Sequence, residues 1–378
     1  MTQDSRSVHG PVGRWWGGAL LLGAALLASL TGWTPAEAAT VAEVRTQMGS
    51  RFEITAVASD EEVARQAIGR AYDEIERIEA MISSWRPTSE TSTVNRRAGV
   101  GPTEVSPELY GLIRRSLKLS ALTDGAFDVT FAGVGSLWDF DDPTPTLPEP
   151  AAIRAALEHV GYQKVALDPE SRSVFLDDSG ARIGFGAIGK GYAANRAVWV
   201  LKQEGITAGV VNAGGDLVAY GQQENGSQWE IGIAHPRDRD RIFARLPLTE
   251  QAVVTSGDYE SLFEIDGKRY AHILDPRTGW PVDHLASVTI VCPDAELADG
   301  LATAVSVMGP DAGLALVDRL TGIEALVVDL EGRVRVSAGL RSQLIALDPT
   351  VLADQGLSLD PATPPNPAPS TGGTTLEK

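Results

Sequence analysis

The chain has 378 residues, a formal net charge of −18 and a hydrophobic content of 43%. The length admits one large domain or two ordinary ones, and the apolar fraction suffices for a sizeable core. With 50 acidic residues against 32 basic ones, the chain lacks the lysine and arginine stripes that bind phosphate backbones, so a nucleic-acid surface is excluded.

The first 38 residues have the pattern of an export signal. Arg14 precedes an apolar run at 20–30, which is too short to span a membrane comfortably. Residues 36–38 (AEA) then offer a small-residue cleavage site. An uncleaved N-terminal anchor is the alternative. No cysteine near the site can accept a lipid, so we expect an exported, periplasmic or otherwise extracytoplasmic protein.

Hydrophobic periodicity predicts the elements of the first half. Residues 44–57 alternate and predict a strand pair or one long strand. Residues 60–84 place their apolar side chains on one helical stripe. Ser106 and Pro107 form a typical N-cap and first-turn pair for a helix to about Leu122. The remaining elements predicted here are a shorter helix at 151–160 and a hairpin of 164–166 with 174–176.

A helix at 191–203, entered directly from a glycine-rich loop, opens the second half. Asp294 is expected to cap a helix that ends at Met308. The other predicted elements are strands at 208–212, 229–233, 252–255, 261–265 and 287–292, a helix at 311–320, and a last hairpin of 325–328 with 334–337.

Helices and strands are clustered rather than strictly alternating, which indicates the α+β class. We therefore predict a single composite domain over 39–347, with mixed or antiparallel sheets and flanking helices. From 348 to 378 the periodicity disappears and prolines accumulate. That composition predicts a disordered tail.

The glycine loop at 184–191 (GFGAIGKG) differs from a phosphate-binding P-loop only at its last position. Its glycines would let backbone N–H groups close on an anion, and Lys190 would add a positive charge. Because position 191 is glycine, the hydroxyl that holds magnesium in a P-loop is missing. Any metal ligands must come from elsewhere. A glycine-rich turn into a helix is the alternative interpretation.

Polar side chains in two further segments could carry chemistry. His272 precedes Asp275 by three residues, an arrangement compatible with a histidine held in one tautomer for acid–base work. A simple turn at 275–279 is the alternative. Asp299 and Thr303 share one face of the predicted helix and would supply hard oxygen ligands for Mg²⁺. They could equally be a surface carboxylate and a hydroxyl bonded to the preceding turn.

Three other segments are less specific. Residues 212–216 (NAGGD) follow an apolar strand and allow close backbone approach, or form a tight turn. Residues 255–259 (TSGDY) contain a serine but lack the nucleophile elbow, so serine hydrolysis is excluded. Residues 125–130 (GAFDVT), followed by Trp138 and Phe140, could stack on a ring system or pack in the core.

In this order along one chain, these motifs resemble the ApbE family, the FAD:protein FMN transferases. The resemblance rests on the following segments: 48–54 (MGSRFEI), 84–90 (SWRPTSE) with Asn95, 125–130, 184–192, 212–216, 255–260, 272–279 (HILDPRTG) and 298–303 (ADGLAT).

The resemblance implies a Mg²⁺-dependent transfer of FMN from FAD to a serine or threonine hydroxyl of a partner protein, with release of AMP. The flavin site would be lined by Met48, Trp85, Ala126, Phe127, Asp128, Lys190 and Ile273. The magnesium ligands would be the Ala187 carbonyl, Asp299 and Thr303. The partners would be FAD and an extracytoplasmic acceptor flavoprotein, which would also bring any peripheral membrane location.

The chemistry implied by the resemblance suits these residues. Attack on a pyrophosphate depends on charge neutralisation and in-line positioning more than on covalent catalysis. Lys190 and the amides at the helix start would hold the phosphates. Either His272 or Asp299 could accept the proton of the target hydroxyl.

Two positions depart from the family pattern. Gly184 stands where the family has an aspartate that contacts the nucleotide, and Asn195 replaces an aspartate of the following helix. We expect weaker FAD binding, with inactivity as the second expectation. The competing hypotheses are an FAD pyrophosphatase, which uses water as acceptor, and a non-catalytic FAD-binding protein. Gly191 disfavours an NTPase.

Overall fold

The computed structural model describes residues 39–344 and 349–360. The predicted export signal lies outside the described residues, and so does most of the predicted tail. Within the described part, no helix combines the length and apolar character needed to cross a membrane.

Helices and strands are clustered along the described chain, as expected for the α+β class: the eight strands from β6 to β13 follow one another without an intervening helix. The strands are β1 (Ala39–Gln47), β2 (Ser50–Ala58), β3 (Thr103–Glu104), β4 (Val165–Asp168), β5 (Ser173–Leu176), β6 (Ala208–Ala213), β7 (Asp216–Tyr220), β8 (Trp229–His235), β9 (Asp238–Leu248), β10 (Gln251–Gly257), β11 (Leu262–Ile265), β12 (Lys268–Ala271), β13 (Leu285–Cys292), β14 (Glu324–Asp329), β15 (Arg333–Val336) and β16 (Ser358–Leu359). The helices are α1 (Glu61–Ile82), α2 (Glu90–Arg96), α3 (Pro107–Leu122), α4 (Ala132–Gly135), α5 (Pro150–Leu157), α6 (Gly189–Gln203), α7 (Ala295–Met308), α8 (Pro310–Val317), α9 (Ala338–Arg341) and α10 (Pro349–Asp354), with a short 3-10 turn at Tyr162–Lys164.

A nine-stranded sheet forms the centre of the fold, in the order β1-β2-β6-β7-β10-β13-β14-β15-β16. Its neighbouring strands are antiparallel, except that β16 runs parallel to β15. Three smaller sheets accompany it: β3-β5-β4, β8-β9 and β11-β12. The mixed and antiparallel pairing confirms the fold class predicted from the sequence.

The large sheet is buried on both faces. Helices α1, α6 and α7 pack on one face, and along β10 the side chains of Ala252 and Val254 join that core. Val253 alternates to the opposite face, where it packs with Phe243 and Leu246 of β9. This two-residue alternation, with both faces apolar, explains why β13 is buried along its whole length and why β10 carries the apolar run 252–254.

The predicted helix starts are confirmed. The Ser106 side chain accepts a hydrogen bond from the Leu109 amide at 3.2 Å, and Asp294 accepts one from the Leu297 amide at 3.1 Å. Each side chain satisfies a backbone donor that the first helical turn leaves unpaired. The segment 44–57 proves to be a pair of strands, β1 and β2.

Several elements escaped the sequence analysis. Besides the short elements β3, α4 and α9, these are α2 and the strands β7, β9 and β12. The first half of β9 carries exposed arginines and aspartates, so its sequence lacks the apolar alternation by which strands are recognised. Its pairing with β8 supplies the backbone hydrogen bonds instead.

Residues 349–360 correct the predicted boundary of the tail. They form α10 and β16 rather than disordered chain. Leu352 and Leu357 are buried in the core under the large sheet, and the His235 ring lies 2.9 Å from the Gln355 carbonyl through Nε2. These two buried leucines join to the core a segment that the loss of periodicity had assigned to the tail.

Candidate active site

Three turns that are distant in sequence meet at one end of the large sheet. The β1–β2 turn contains Met48, whose Cε lies 3.6 Å from the position that a Cβ on Gly189 would occupy. The β6–β7 turn is bound to β2 through the Gly214 amide, which donates to the Arg51 carbonyl at 3.0 Å. Lys190, at the start of α6, passes beside Gly214. The site therefore combines the motifs at 48–54, 184–191 and 212–216.

Met48 has a backbone conformation that is unusual for its residue type. Its φ is 50° and that of Gly49 is 71°, as in the two-residue hairpin turns that match strand twist. A methionine with positive φ stores strain, which persists only where the surroundings hold it. Here the Glu79 carboxylate accepts the Met48 N–H at 3.2 Å and also pairs with Arg86.

The glycine at position 191 is required by close packing of α6 against α7. A Cβ there would lie 2.1 Å from the Ala295 carbonyl oxygen and 2.9 Å from the Asp299 Cβ. The Gly191 N–H donates to Asp299 Oδ2 at 3.1 Å. A P-loop hydroxyl cannot be accommodated at this position, and a carboxylate from α7 reaches the first turn of α6 in its place.

Two of the three predicted metal ligands are oxygen atoms without other partners in the described chain. Because Gly191 donates to Asp299, the Ala187 carbonyl accepts no hydrogen bond within the described chain. Ser306 bonds back to the Ala302 carbonyl at 2.8 Å, whereas the Thr303 hydroxyl makes no such bond among the described residues. With Asp299, these atoms form a hard-oxygen set that suits Mg²⁺.

The predicted phosphate ligand, Lys190, lies inside a buried acidic cluster. Its Nζ contacts Asp216 Oδ2 at 2.8 Å, and the Asp216 carboxylate is only 2% exposed. Burial would lower the pKa of Lys190, but the charges of Asp299 and Asp216 outweigh it and raise that pKa. Burial and the Asp299 charge raise the pKa of Asp216 well above its ordinary value, although Lys190 opposes them.

The charge balance of this cluster fits a bound cation. Asp216 and Asp299 bring two carboxyl groups against the one ammonium of Lys190, and a bound cation would relieve the repulsion that raises the pKa of Asp216. Among the described residues, no group of three or more His, Cys, Asp and Glu side chains is arranged to hold a metal ion. A metal here would therefore need the carbonyl and hydroxyl ligands of Ala187 and Thr303 in addition to Asp299.

Trp85 presents an aromatic face beside the glycine loop. It is 82% exposed and follows Ser84, whose Oγ lies 4.0 Å from the position of a Cβ on Gly184. Its amide donates to Ser83 Oγ at 3.2 Å. An exposed tryptophan on an anchored loop is suited to stack on a flat ring system.

The side chains of the segment 126–128 have mainly structural roles. Ala126 and Phe127 are buried in the main core. The Asp128 carboxylate accepts from the Thr130 amide and hydroxyl and from the Tyr162 amide, at 2.6–2.9 Å. Burial raises the pKa of Asp128 against these hydrogen bonds. The Gly184 amide donates to the carbonyl of the following residue, Val129, at 2.9 Å, which ties this segment to the glycine loop.

His272 has a different carboxylate neighbour from the one anticipated. The Asp275 side chain is bound to Arg277, with two contacts of 2.8 Å, and stabilises the 275–279 turn. The neighbour of His272 is Glu260, whose Oε2 lies 3.9 Å from Nε2. The Nδ1 atom is buried without a hydrogen-bond partner among the described residues. Ile273, the next residue, is buried in the core.

The pKa values of Glu260 and His272 shift toward each other. Burial raises the pKa of Glu260 to about 7, with Lys190 and Arg239 opposing and Asp299 reinforcing the shift. Burial and the Lys190 charge lower the pKa of His272, although the Ser261 backbone opposes them. The imidazole is consequently neutral near pH 7, as a general base must be.

Two sequence features have structural explanations. Trp138 and Phe140 stack with Phe263 in a satellite cluster, so core packing accounts for them. Asn195 donates to Asp294 at 2.8 Å and accepts from the Ala295 amide at 3.1 Å. It fastens α6 to the start of α7, where an aspartate would face Asp294 with like charge.

Sequence reasoning missed Glu79, Asp216 and Glu260 as individual contributors. Asp216 and Glu260 end motifs that had been recognised, but their partners Lys190 and His272 belong to other motifs of the sequence. Glu79 falls on the exposed side of a regular amphipathic helix. Nothing in its spacing distinguishes it from other surface glutamates.

Comparison with known proteins identifies the family. The model of the ApbE family matches residues 48–327. The chain belongs to the ApbE family. An FAD:protein FMN transferase of Klebsiella pneumoniae (strain 342) is 33% identical over 325 residues, covering 83% of this chain and 92% of the relative.

Solved structures of ApbE proteins share the fold. The ApbE protein of Thermotoga maritima superposes with a TM-score of 0.76 at 32% identity, covering 81% of this chain and 99% of its own. The flavinyl transferase ApbE of Pseudomonas stutzeri, in its apo form, gives a TM-score of 0.72 at 30% identity, covering 81% and 97%.

Proposed function

We propose that this ApbE family member transfers the FMN part of FAD to a serine or threonine hydroxyl of an acceptor flavoprotein and releases AMP. The observation that carries the proposal is the set of oxygen donors where α6 meets α7. The Ala187 carbonyl and Thr303 hydroxyl have no partner in the described chain; Asp299 accepts the Gly191 N–H, one turn beyond Ala187, and precedes Thr303 by one turn of α7. Relatives named FAD:protein FMN transferase support FAD as the substrate.

The donor set would hold Mg²⁺, which when bound neutralises pyrophosphate charge and polarises the phosphorus. Lys190 adds a positive charge at the same helix start, where backbone amides favour anions. Asp216 keeps that ammonium in place through its 2.8 Å contact. In the reaction, the acceptor oxygen bonds to the phosphorus of the FMN part, the bond to the bridging oxygen breaks, and AMP leaves with that oxygen.

His272 is the better of the two candidates for the base. Asp299 already accepts the Gly191 N–H and belongs to the cation site. The His272 side chain is 34% exposed, and burial keeps its pKa low enough for the ring to be neutral. It can therefore take the proton of an approaching hydroxyl. The flavin ring would stack on Trp85 and contact Met48 beside the glycine loop.

The location is proposed from the sequence. The apolar run at 20–30 and the AEA site at 36–38 support export. FAD and the acceptor flavoprotein would then meet this enzyme outside the cytoplasm, at the membrane when the acceptor is membrane-bound.

The test is a transfer assay with FAD, Mg²⁺ and a candidate acceptor. We expect flavin fluorescence on the acceptor that survives a denaturing gel, a mass increase of one FMN moiety, and one AMP per modified hydroxyl. A chelator should abolish all three. AMP formed at the same rate without acceptor would indicate a pyrophosphatase, and tight FAD binding without AMP would indicate a non-catalytic protein.

A matched pair of variants on α7 tests the donor set. Thr303→Ala removes the unpartnered hydroxyl, and we expect a higher Mg²⁺ concentration for half-maximal transfer. Ser306→Ala removes a hydroxyl that already bonds within the helix, and its Mg²⁺ requirement should be unchanged. Equal Mg²⁺ requirements in the two variants would contradict the assignment.

A further inference from the structure

The β11–β12 hairpin brings Glu260 and His272 together at its base. Glu260 lies two residues before β11, and His272 directly follows β12. The His272 amide donates to the Ser261 carbonyl at 3.0 Å, which closes the base of the hairpin. The two side chains then face each other, with Nε2 and Oε2 3.9 Å apart.

The Glu260 carboxylate has no structural task in the described chain. It accepts no hydrogen bond there, in contrast to Asp275, which is bound to Arg277. A Cβ on Gly215 would lie 3.8 Å from Glu260 Oε1, so the carboxylate borders the β6–β7 turn. The charged groups that face it are Lys190, Arg239 and Asp299, besides His272.

The two nitrogens of His272 have different surroundings. Nδ1 is enclosed and cannot meet a substrate hydroxyl, so Nε2 is the nitrogen that can take a proton. Nε2 is also the atom that faces Glu260. A proton gained at Nε2 therefore has the carboxylate as its nearest acidic neighbour.

We propose that Glu260 is the carboxylate partner of His272 and receives the proton that Nε2 takes from the acceptor hydroxyl. This inference rests on the proposed transferase function. The hydroxyl O–H bond breaks as the Nε2–H bond forms, and that N–H bond then breaks as an O–H bond forms at Oε2. Glu260 acts through His272 and is thus a positioning and relay residue.

The direction of the relay agrees with the local electrostatics. Burial lowers the pKa of His272 and raises the pKa of Glu260 to about 7. A proton therefore rests more favourably on the carboxylate than on the ring. Glu260 must be ionised before it can receive one, so transfer should be lost as the pH falls below about 7.

The experiment uses four variants of the full chain with FAD, Mg²⁺ and acceptor. Glu260→Gln should lower kcat for transfer about 100-fold, a typical loss for disabled proton transfer, with the Kd for FAD unchanged. Glu260→Asp should recover part of that loss. Glu264→Gln, on the exposed face of β11, is the matched control and should retain full activity.

A double-mutant cycle separates relay from structural support. When His272→Ala is already present, Glu260→Gln should cost less than twofold more, because the partner it serves is gone. The acid limb of the wild-type pH profile should disappear in Glu260→Gln. Full kcat in Glu260→Gln, additive losses, or a weakened FAD affinity would overturn the inference while leaving the transferase function intact. A wild-type protein without transfer would instead refute the function and the relay with it.

Discussion

Gly184 replaces the family's aspartate and is the reason that we expect weaker FAD binding. Its surroundings explain why an aspartate does not fit at this position. A Cβ on Gly184 would lie 2.8 Å from the Ala132 Cβ, at the start of α4. Because that methyl group is fixed to helical backbone, it cannot move aside cheaply. The loss of the acid and the presence of Ala132 are therefore coupled features of this chain.

We predict that Gly184→Asp alone will not strengthen FAD binding. The collision should cost about 1–3 kcal/mol of unfolding free energy, as overpacking usually does. Adding Ala132→Gly opens the space, and the double variant should bind FAD more tightly than wild type. Urea unfolding and FAD fluorescence titration check both statements, with Ala132→Gly alone as the control. Tighter binding by the single variant at unchanged stability would contradict the steric argument.

The residues of the site show where sequence reasoning reaches its limit. The pair Asp299 and Thr303 was found because helical spacing places residues four apart on one face. The contact of Lys190 with Asp216 joins segments that meet only in the folded structure, and that of His272 with Glu260 depends on a hairpin whose second strand, β12, the sequence did not predict. The partner first suggested for His272, Asp275, was the nearest carboxylate in sequence but not in space.

At the scale of elements, the contact between α6 and α7 controls the glycine loop. Gly191 lets the Ala295 carbonyl and Asp299 approach the first turn of α6. That approach diverts the Gly191 N–H from the Ala187 carbonyl and leaves the carbonyl free for a cation. The near-match to a P-loop is thus a consequence of helix packing, and the metal ligands come from α7.

We predict that Gly191→Ser, which completes the P-loop pattern in sequence, will damage the protein. The added Cβ would lie 2.1 Å from a backbone oxygen, so unfolding free energy should fall by about 3 kcal/mol or more. Gly186→Ser is the matched control from the same loop, because a Cβ there meets nothing within 4 Å. It should change stability by less than about 0.5 kcal/mol. Thermal and urea unfolding of the two variants measure the difference, and a stable Gly191→Ser protein would disprove the packing argument.

At the scale of the whole molecule, the sequence predicted the elements better than their arrangement. The strongly apolar strand β13 was identified from its run of apolar residues, and helix α7 was identified from its capping residue Asp294. Strand order was not, because pairing such as β2 with β6 joins segments separated by about 150 residues. The strand β9 was missed because its first half lacks apolar alternation, and its backbone hydrogen bonds to β8 stabilise it instead.

The end of the folded chain illustrates the same limit. Residues 349–360 were assigned to the tail by composition, yet they bury Leu352 and Leu357 and extend the large sheet with β16. Two leucines contribute little to average composition. In a packed setting, however, each buried leucine contributes several kcal/mol relative to a small residue.

We therefore predict opposite outcomes for two truncations. A chain that ends at residue 348 loses both leucines, the β15–β16 pairing and the contact of His235 with the Gln355 carbonyl. Its unfolding free energy should fall by about 4 kcal/mol or more, from the burial of two leucines. A chain that ends at residue 360 keeps these contacts and loses only the segment whose composition predicts disorder, so its stability should match that of the full chain. Urea unfolding of the three proteins, followed by tryptophan fluorescence, measures these stabilities. If the chain that ends at residue 348 is as stable as the full chain, α10 and β16 do not support the core.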